Sequence, residues 1–289
     1  VHVHYAIPHA SVAYMAKQIL KQDGFNLPFI TTLHGTDITL VGKNASYNPV
    51  VTFAINQSDA VTSVSKSLKE DTFRNFNINK AIEVIPNFVD LKRFSKLKKE
   101  HFKKAIAPAN ERVIIHASNF RPVKRISDVV AVFNRICSKL PAKLLMIGDG
   151  PERSRIEQEC RESEFADHIR FLGKLEAVEE ILSIGDLFVL PSESESFGLS
   201  ALEAMACQVP VISSNTGGIP EVNINGVTGY MSNVGDVDDM AEHALKILKD
   251  DAVLSDFKSR ALQQASRFDI SKILPAYIEL YQRVINHHQ

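Results

Sequence analysis

Short β-branched apolar runs alternate with stretches of helical spacing along most of the chain. Val1–Tyr5 alternates like a strand. Ala10–Gln22 sets Val12, Met15, Ala16, Ile19 and Leu20 at helical spacing, and Asp23-Gly24 ends it. Pro28–Leu33 is a β-branched strand that stops at His34-Gly35-Thr36-Asp37. A helix over Asn48–Gln57, a strand over Ala60–Val64, a helix from Ser65 to about Phe76 and a strand over Ile82–Ile85 complete the first block. Ser67 and Glu70 stand at capping-box spacing.

Residues 86–110 break this rhythm. Pro86-Asn-Phe-Val-Asp90 is turn chemistry, and the run to Lys104 carries Lys92, Arg93, Lys96, Lys98, Lys99, Lys103 and Lys104. Alternation restarts over 111–249. Strands are predicted at Arg112–Ala117, Ala142–Ile147, Ile169–Leu172 (ending at Gly173), Leu187–Leu190 and Val209–Ile212. Helices between them end near Lys139 and Ser163, then cover Ala177–Ile184 and Phe197–Cys207. Turns around Gly217-Gly218 and Gly226–Gly229 precede a helix over Asp236–Leu248, and helices near Val253–Arg267 and Ile270–Val284 finish the chain. Strands alternating with helices predict doubly wound parallel sheets. The rhythm occurs twice, so the expected fold is α/β, with two Rossmann-like domains facing a cleft. The expected boundaries are 1–95, 96–270, and a terminal helix and tail over 271–289.

Composition narrows the function classes. The chain has 289 residues, 45% hydrophobic and 23% charged, the make-up of an ordinary globular protein. A net charge of -1 argues against a nucleic-acid partner. No apolar run reaches the ~18 residues of a membrane span, so no membrane insertion is expected. Cys137, Cys160 and Cys207 form no CxxC pair, which fits unreactive thiols in a reducing cytoplasm. The basic run over 92–104 reads as a solvated connector, with a membrane-surface patch as the sharper alternative. A homo-oligomeric state stays open.

The candidate chemistry gathers at strand ends. Glu195-Ser-Phe-Gly-Leu-Ser-Ala-Leu-Glu203 joins an apolar strand to an Ala/Leu/Met helix, at the end of the sheet where ligands bind. Its two carboxylates would stand about 80° apart on one ideal helix, so a shared helical face is not the point of the motif. Glu195 belongs to the loop, and Glu203 lies about two turns into the helix. Between them, the free amides of the helix N-terminus suit a phosphate. Ser118-Asn-Phe-Arg-Pro-Val-Lys-Arg125 also follows a strand, and Arg121, Lys124 and Arg125 can neutralise a diphosphate. Gly148-Asp-Gly-Pro-Glu152 is either a nucleotide-facing loop or an efficient βα turn. It is not a GxGxxG fingerprint, so no dinucleotide cofactor is implied.

Other motifs have bland readings. His34 can bond a sugar hydroxyl or a phosphate oxygen, or it can sit in a turn capped by Asp37. Thr31 and Thr32 point to opposite sides of their strand. His2-x-His4 reads as structural histidines rather than a metal pair, and His287-His288 as a disordered tail. Asp236-Val-Asp238 reads as a helix cap rather than a metal site.

Several segments together resemble the retaining glycosyltransferases of family 4 with the GT-B fold. They are Glu195-x7-Glu203, Ile85-Pro-Asn-Phe-Val-Asp-Leu-Lys-Arg-Phe94, Gly148-Asp-Gly-Pro-Glu152, Gly217-Gly-Ile-Pro-Glu221 and Asn225-Gly-Val-Thr-Gly229. Within that family, His2–Ala10, Thr31–Thr39 and Ser118–Lys124 are similar to the bacillithiol-pathway branch, which transfers N-acetylglucosamine from UDP-GlcNAc to L-malate. The resemblance implies catalytic roles for His34, Lys124 and Glu195. It places donor contacts at Asn119, Arg121, Gly148, Gly150, Gly173, Phe197, Gly198, Leu199 and Glu203, with Glu203 on the uridine ribose. Tyr5, Thr31 and Thr32 fall on the malate side. No cofactor and no metal is implied. Many relatives carry arginine five residues before the lysine, where this chain has Asn119; Arg121 is the candidate substitute.

Family members also begin with a β-α-β block carrying a glycine-rich loop. This chain opens on Val1-His-Val-His4, so its first domain is expected to be truncated as written. Two other functions stay open at this stage. One is a family-4 transferase with a lipid or polysaccharide acceptor, supported by the basic run. The other is a nucleotide-sugar-binding fragment without catalysis, supported by the absent block.

Overall fold

The structure, a computed structural model, describes residues 1–41, 44–96 and 100–287. Lys98, Lys99 and His288, singled out above, lie outside the described residues. The chain divides into two compact units, Val1–Phe88 with Ile270–Gln289, and Val89–Asp269. The sequence reading sets the boundary after residue 95 and treats the last helix as a separate element. The structure divides the chain after Phe88 and gives that helix to the first unit.

In the first unit β1 (His2–His4), β2 (Ile30–Leu33), β3 (Ala60–Ser63) and β4 (Ile82–Val84) form a parallel sheet in that order. Helices α1 (Ser11–Gln22), α2 (Asn48–Gln57) and α3 (Lys66–Asn75) connect them. Phe29 packs with Ala10, Ala13 and Ala54 on the α1 and α2 side. Ile30 and Ile85 pack with Leu280 of the C-terminal helix Ile270–Asn286, beside Ile273, Ala276 and Tyr277. A buried strand needs apolar cover on both faces, and the last helix supplies it. The N-cap of α3 is Ser65, whose side chain accepts from Leu68 N, and not Ser67 as the spacing suggested.

The second unit holds α4 (Glu100–Ile106), β5 (Arg112–Ala117), α5 (Ile126–Cys137), β6 (Ala142–Ile147), α6 (Arg153–Arg161), β7 (Ile169–Gly173), α7 (Val178–Leu182) and β8 (Leu187–Leu190). It continues with α8 (Leu199–Ala206), β9 (Val211–Ser214), α9 (Ile219–Val222), β10 (Gly229–Ser232), α10 (Val237–Leu248) and α11 (Asp251–Ala265). Its parallel sheet has the order β10-β9-β8-β5-β6-β7. The chain builds outward from β5 to β7, then returns to β8 and builds the other way. The topological switch point therefore lies between β5 and β8, where open α/β sheets bind ligands. Strand β10 is not among the predicted strands; it begins at Gly229, where the predicted Gly226–Gly229 turn ends.

A cap, an ion pair and burial account for further candidates. Asp236 caps α10 by accepting from Asp239 N, and Asp238 pairs with Arg135. Burial pushes the thiols of Cys137 up to about 11 and of Cys160 and Cys207 up to about 12. Among the described residues no helix is long and apolar enough to cross a membrane.

Candidate active site

The loops that follow β5 and β8 meet at the switch point. Lys124 Nζ contacts Glu195 Oε1 directly, with the two side chains only 19% and 12% exposed. The Ser192 hydroxyl donates to the same carboxylate oxygen at 3.2 Å. The Glu193 amide donates to Val123 O at 2.8 Å, which joins the two loops through their main chains. A cation and a carboxylate from distant segments thus stand together at the mouth of the sheet.

Helix α8 begins beside this pair. The sequence reading started it at Phe197, but Gly198 has φ +91 and cannot be a helical residue. Phe197 is buried and packs edge-on against Phe268 at 5.7 Å. The amides of Leu199, Ser200 and Ala201 are those an α-helix leaves without an intrahelical acceptor. They mark a position favourable for an anion.

Glu203 lies on the same helix and is half-buried. Burial raises its pKa to about 7, with Glu179 adding to the rise and Arg93 opposing it. Arg93 donates to Glu179 at 3.2 Å and to Glu176 O at 2.9 Å.

Glycines fix the approach of the loops. A Cβ on Gly217 would lie 1.9 Å from Glu195 O, and one on Gly218 would lie 2.3 Å from Ser196 O. The Gly218 amide donates to Glu195 O at 2.9 Å. The Gly217-Gly218 turn is therefore the cradle of the Glu195 loop, a role that its motif did not disclose. On the other side a Gly148 Cβ would lie 1.8 Å from Ser118 O, and a Gly150 Cβ 2.6 Å from Phe120 O. Both glycines hold the Ser118–Lys124 loop by close backbone packing, which favours the βα-turn reading of that motif. Gly173, at φ +68, accepts the Gly148 amide at 2.8 Å. Asn119 and Arg121 are both exposed on the same loop.

The first unit carries its own candidates. The His4 and His34 rings meet, Nδ1 to Nε2, at 2.8 Å, and Tyr5 packs on His34 with ring centres 5.1 Å apart. Burial, then His4 and His2, lower the His34 pKa to about 4. Asp37 accepts from Ala6 N at 2.6 Å and Gly35 N at 3.2 Å, so it braces the turn that carries His34. Thr31 and Thr32 lie inside the sheet. Both are fully buried. Thr31 bonds Ser58 at 2.8 Å, while Thr32 bonds Thr62 and His2, each at 2.7 Å. Their hydroxyls tie the strand to its neighbours. His2 also meets Tyr281 at 2.7 Å and is structural as expected.

Among the described residues no group of three or more His, Cys, Asp or Glu side chains gathers in a metal-ligating arrangement. The basic run is partly consumed within the second unit. Lys103 pairs with buried Asp186, and Arg93 with Glu179.

The chain matches two family models, Glycosyl transferases group 1 over residues 98–264 and Glycosyltransferase Family 4 over residues 1–93. It is 44% identical over 286 residues to the N-acetyl-alpha-D-glucosaminyl L-malate synthase of Bacillus anthracis, covering 98% of this chain and 74% of that protein. Its fold matches that of sucrose-phosphate synthase from Thermosynechococcus elongatus with a TM-score of 0.85 at 24% identity, over 99% of this chain and 73% of that one. Anabaena Alr3699/HepE, solved in complex with UDP and glucose, matches with a TM-score of 0.84 at 21% identity, over 94% and 75% of the two chains.

Proposed function

The chain belongs to the family-4 glycosyltransferases of GT-B fold, and on that premise we propose that it transfers N-acetylglucosamine from UDP-N-acetylglucosamine to L-malate with retention at the anomeric carbon. The reaction would be a cytoplasmic one and the first step of bacillithiol biosynthesis. The observation that carries the reading is the meeting of Lys124 and Glu195 at the switch point, beside the first turn of α8. The identity to a relative whose name specifies GlcNAc and malate supports the choice of substrates.

On this reading the diphosphate lies against Lys124 and the amides of Leu199–Ala201. Glu195 takes the sugar hydroxyls, and Glu203 takes the ribose. From the resemblance, His34 is assigned to the transferred sugar and Tyr5 to the acceptor side. The malate hydroxyl oxygen bonds to the anomeric carbon on the face from which UDP departs. The bond from that carbon to the phosphate oxygen breaks, and the hydroxyl proton passes to the departing phosphate. The protein's part is positioning and stabilisation of the charge that grows on UDP. No metal enters the scheme.

The basic run behind the lipid-acceptor alternative is drawn in part into ion pairs, through Arg93 and Lys103. The test is mass spectrometry of the products formed from UDP-N-acetylglucosamine offered with L-malate and competing hydroxy acids. A malate glycoside as the main product is expected. Equal glycosylation of the competitors, or hydrolysis alone, would overturn the reading.

A further inference from the structure

One buried and chemically capable side chain is unused by this scheme. His116 lies near the end of β5 and is 0% exposed. The main-chain register between β5 and β8 runs through Ile114↔Leu187 and Ile115↔Phe188 and stops there. The next rung would join His116 to Val189. In its place the ring makes the link: Nδ1 lies 2.9 Å from Val189 O, and Nε2 lies 2.7 Å from Ser118 Oγ. A carbonyl only accepts, so Nδ1 carries the proton, and Nε2 of the neutral ring accepts from the Ser118 hydroxyl. The ring stacks at 19° on Phe188 of β8, with Phe120 at 6.1 Å. Burial, with Lys124 adding to it and the Val189 bond opposing it, lowers the His116 pKa to about 4. The ring is a neutral bridge at ordinary pH.

Both anchors lead to the site. Val189 precedes the turn bearing Ser192, which donates to Glu195. Ser118 opens the loop that ends at Lys124, and its carbonyl is held on the other side by Gly148. The strands part where their ladder stops, and His116 spans the gap.

We propose that His116 is a positioning residue: by bridging Val189 and Ser118 it sets how far the ends of β5 and β8 part, and so where Lys124 and Glu195 stand. This rests on the reading of that crevice as the diphosphate site. The ring itself is sealed from any ligand.

The test compares His116→Asn, Ser118→Ala and their double variant with the parent chain, by calorimetric titration with UDP and with UMP, alongside the KM for UDP-N-acetylglucosamine. Asparagine keeps a donor near Nδ1 and loses the Ser118 link; alanine at 118 cuts that link alone. Each single variant is expected to weaken UDP binding about tenfold, the order for groups that support a ligand-touching pair. UMP, which lacks the outer phosphate, should change by less than about twofold, and the double variant should lose no more than either single one. If His116→Asn fails to fold, Ser118→Ala carries the comparison. Equal losses for UDP and UMP would reveal a merely structural residue and overturn the proposal, as would additive losses. Unchanged UDP binding, with the loss still seen in Lys124→Ala, sinks this inference and leaves the donor reading standing. If Lys124→Ala and Glu203→Ala both bind UDP as the parent does, the donor reading itself fails.

Discussion

Lys124 and Glu195 neutralise one another, one from the loop after β5 and the other from the loop after β8. On the proposed reading, a diphosphate at Lys124 competes with that carboxylate. The two residues therefore give opposite signs when changed. Glu195→Gln should leave Lys124 uncompensated and tighten binding of UDP a few-fold, while turnover should fall if, as proposed, this carboxylate holds the sugar. Lys124→Ala should weaken UDP by about tenfold or more, since it removes a charge-assisted bond and leaves Glu195 facing the phosphates. Calorimetry with UDP and steady-state kinetics separate the two. A Glu195→Gln variant that binds UDP more weakly would contradict the displacement argument.

On the proposed reading, Glu203 would make donor binding depend on pH. Its pKa of about 7 leaves the carboxylate, which on the proposed reading holds the ribose, only half formed at neutrality. UDP affinity should rise as pH goes from about 6 to 8, and Glu203→Gln should flatten that profile. Stability moves the other way. The folded chain holds this proton more tightly than the unfolded chain, whose value is 4.5, so stability declines as pH rises from 4.5 through about 7. Denaturant titrations at several pH values should show the decline in the parent and its loss in Glu203→Gln.

The Gly217-Gly218 turn should tolerate no side chain at its first position. Gly217 has φ +57, and its Cβ would overlap Glu195 O at 1.9 Å. Gly217→Ala should displace the Glu195 loop and lower turnover by about a hundredfold, the scale of an ångström-sized misplacement. Gly24→Ala is the matched control. It has φ +82 and nothing within 4 Å, so it should cost about 1 kcal/mol of stability and leave kinetics alone. Equal effects at the two positions would show that backbone strain, and not the approach to Glu195, explains both.

The strand-to-helix turn at Glu195 was legible because one apolar run and one helical run frame it. Helix Asn48–Gln57 and strands Arg112–Ala117 and Ala142–Ile147 were legible for the same reason, and the structure keeps their limits. What pattern could not supply was contact between distant segments. Thr31 and Thr32 point to opposite sides of their strand, as alternation predicts, but that both faces are covered, with the hydroxyls on Ser58 and Thr62, shows only in the structure. His116 sits in a run that reads only as buried strand, and its role depends on where the β5–β8 ladder ends. The C-terminal helix follows the second unit in sequence, yet its apolar face packs on Ile30 and Ile85. The pairing of Gly217 with Glu195 is likewise a backbone approach that no periodicity encodes.

Asp186 should be the acid-sensitive anchor of the second unit. It is 2% exposed and accepts from Lys103 and Lys258, each at 2.7 Å, and from Val113 N at 3.0 Å. Burial alone would raise its pKa, but Lys258 and Lys103 outweigh burial and lower it. Asp186→Ala removes the shared partner of two lysines and leaves their charges facing one another. A loss of about 3–5 kcal/mol is expected, as for a buried pair broken on one side. The depressed pKa gives the sign of its pH dependence. The stabilisation is complete above the ordinary value of 3.8 and disappears as pH falls through the lower folded value. Denaturant unfolding of parent and variant should therefore differ most near neutral pH and converge in strong acid. A gap that stayed constant into acid would mean that the lost contacts are packing rather than charge.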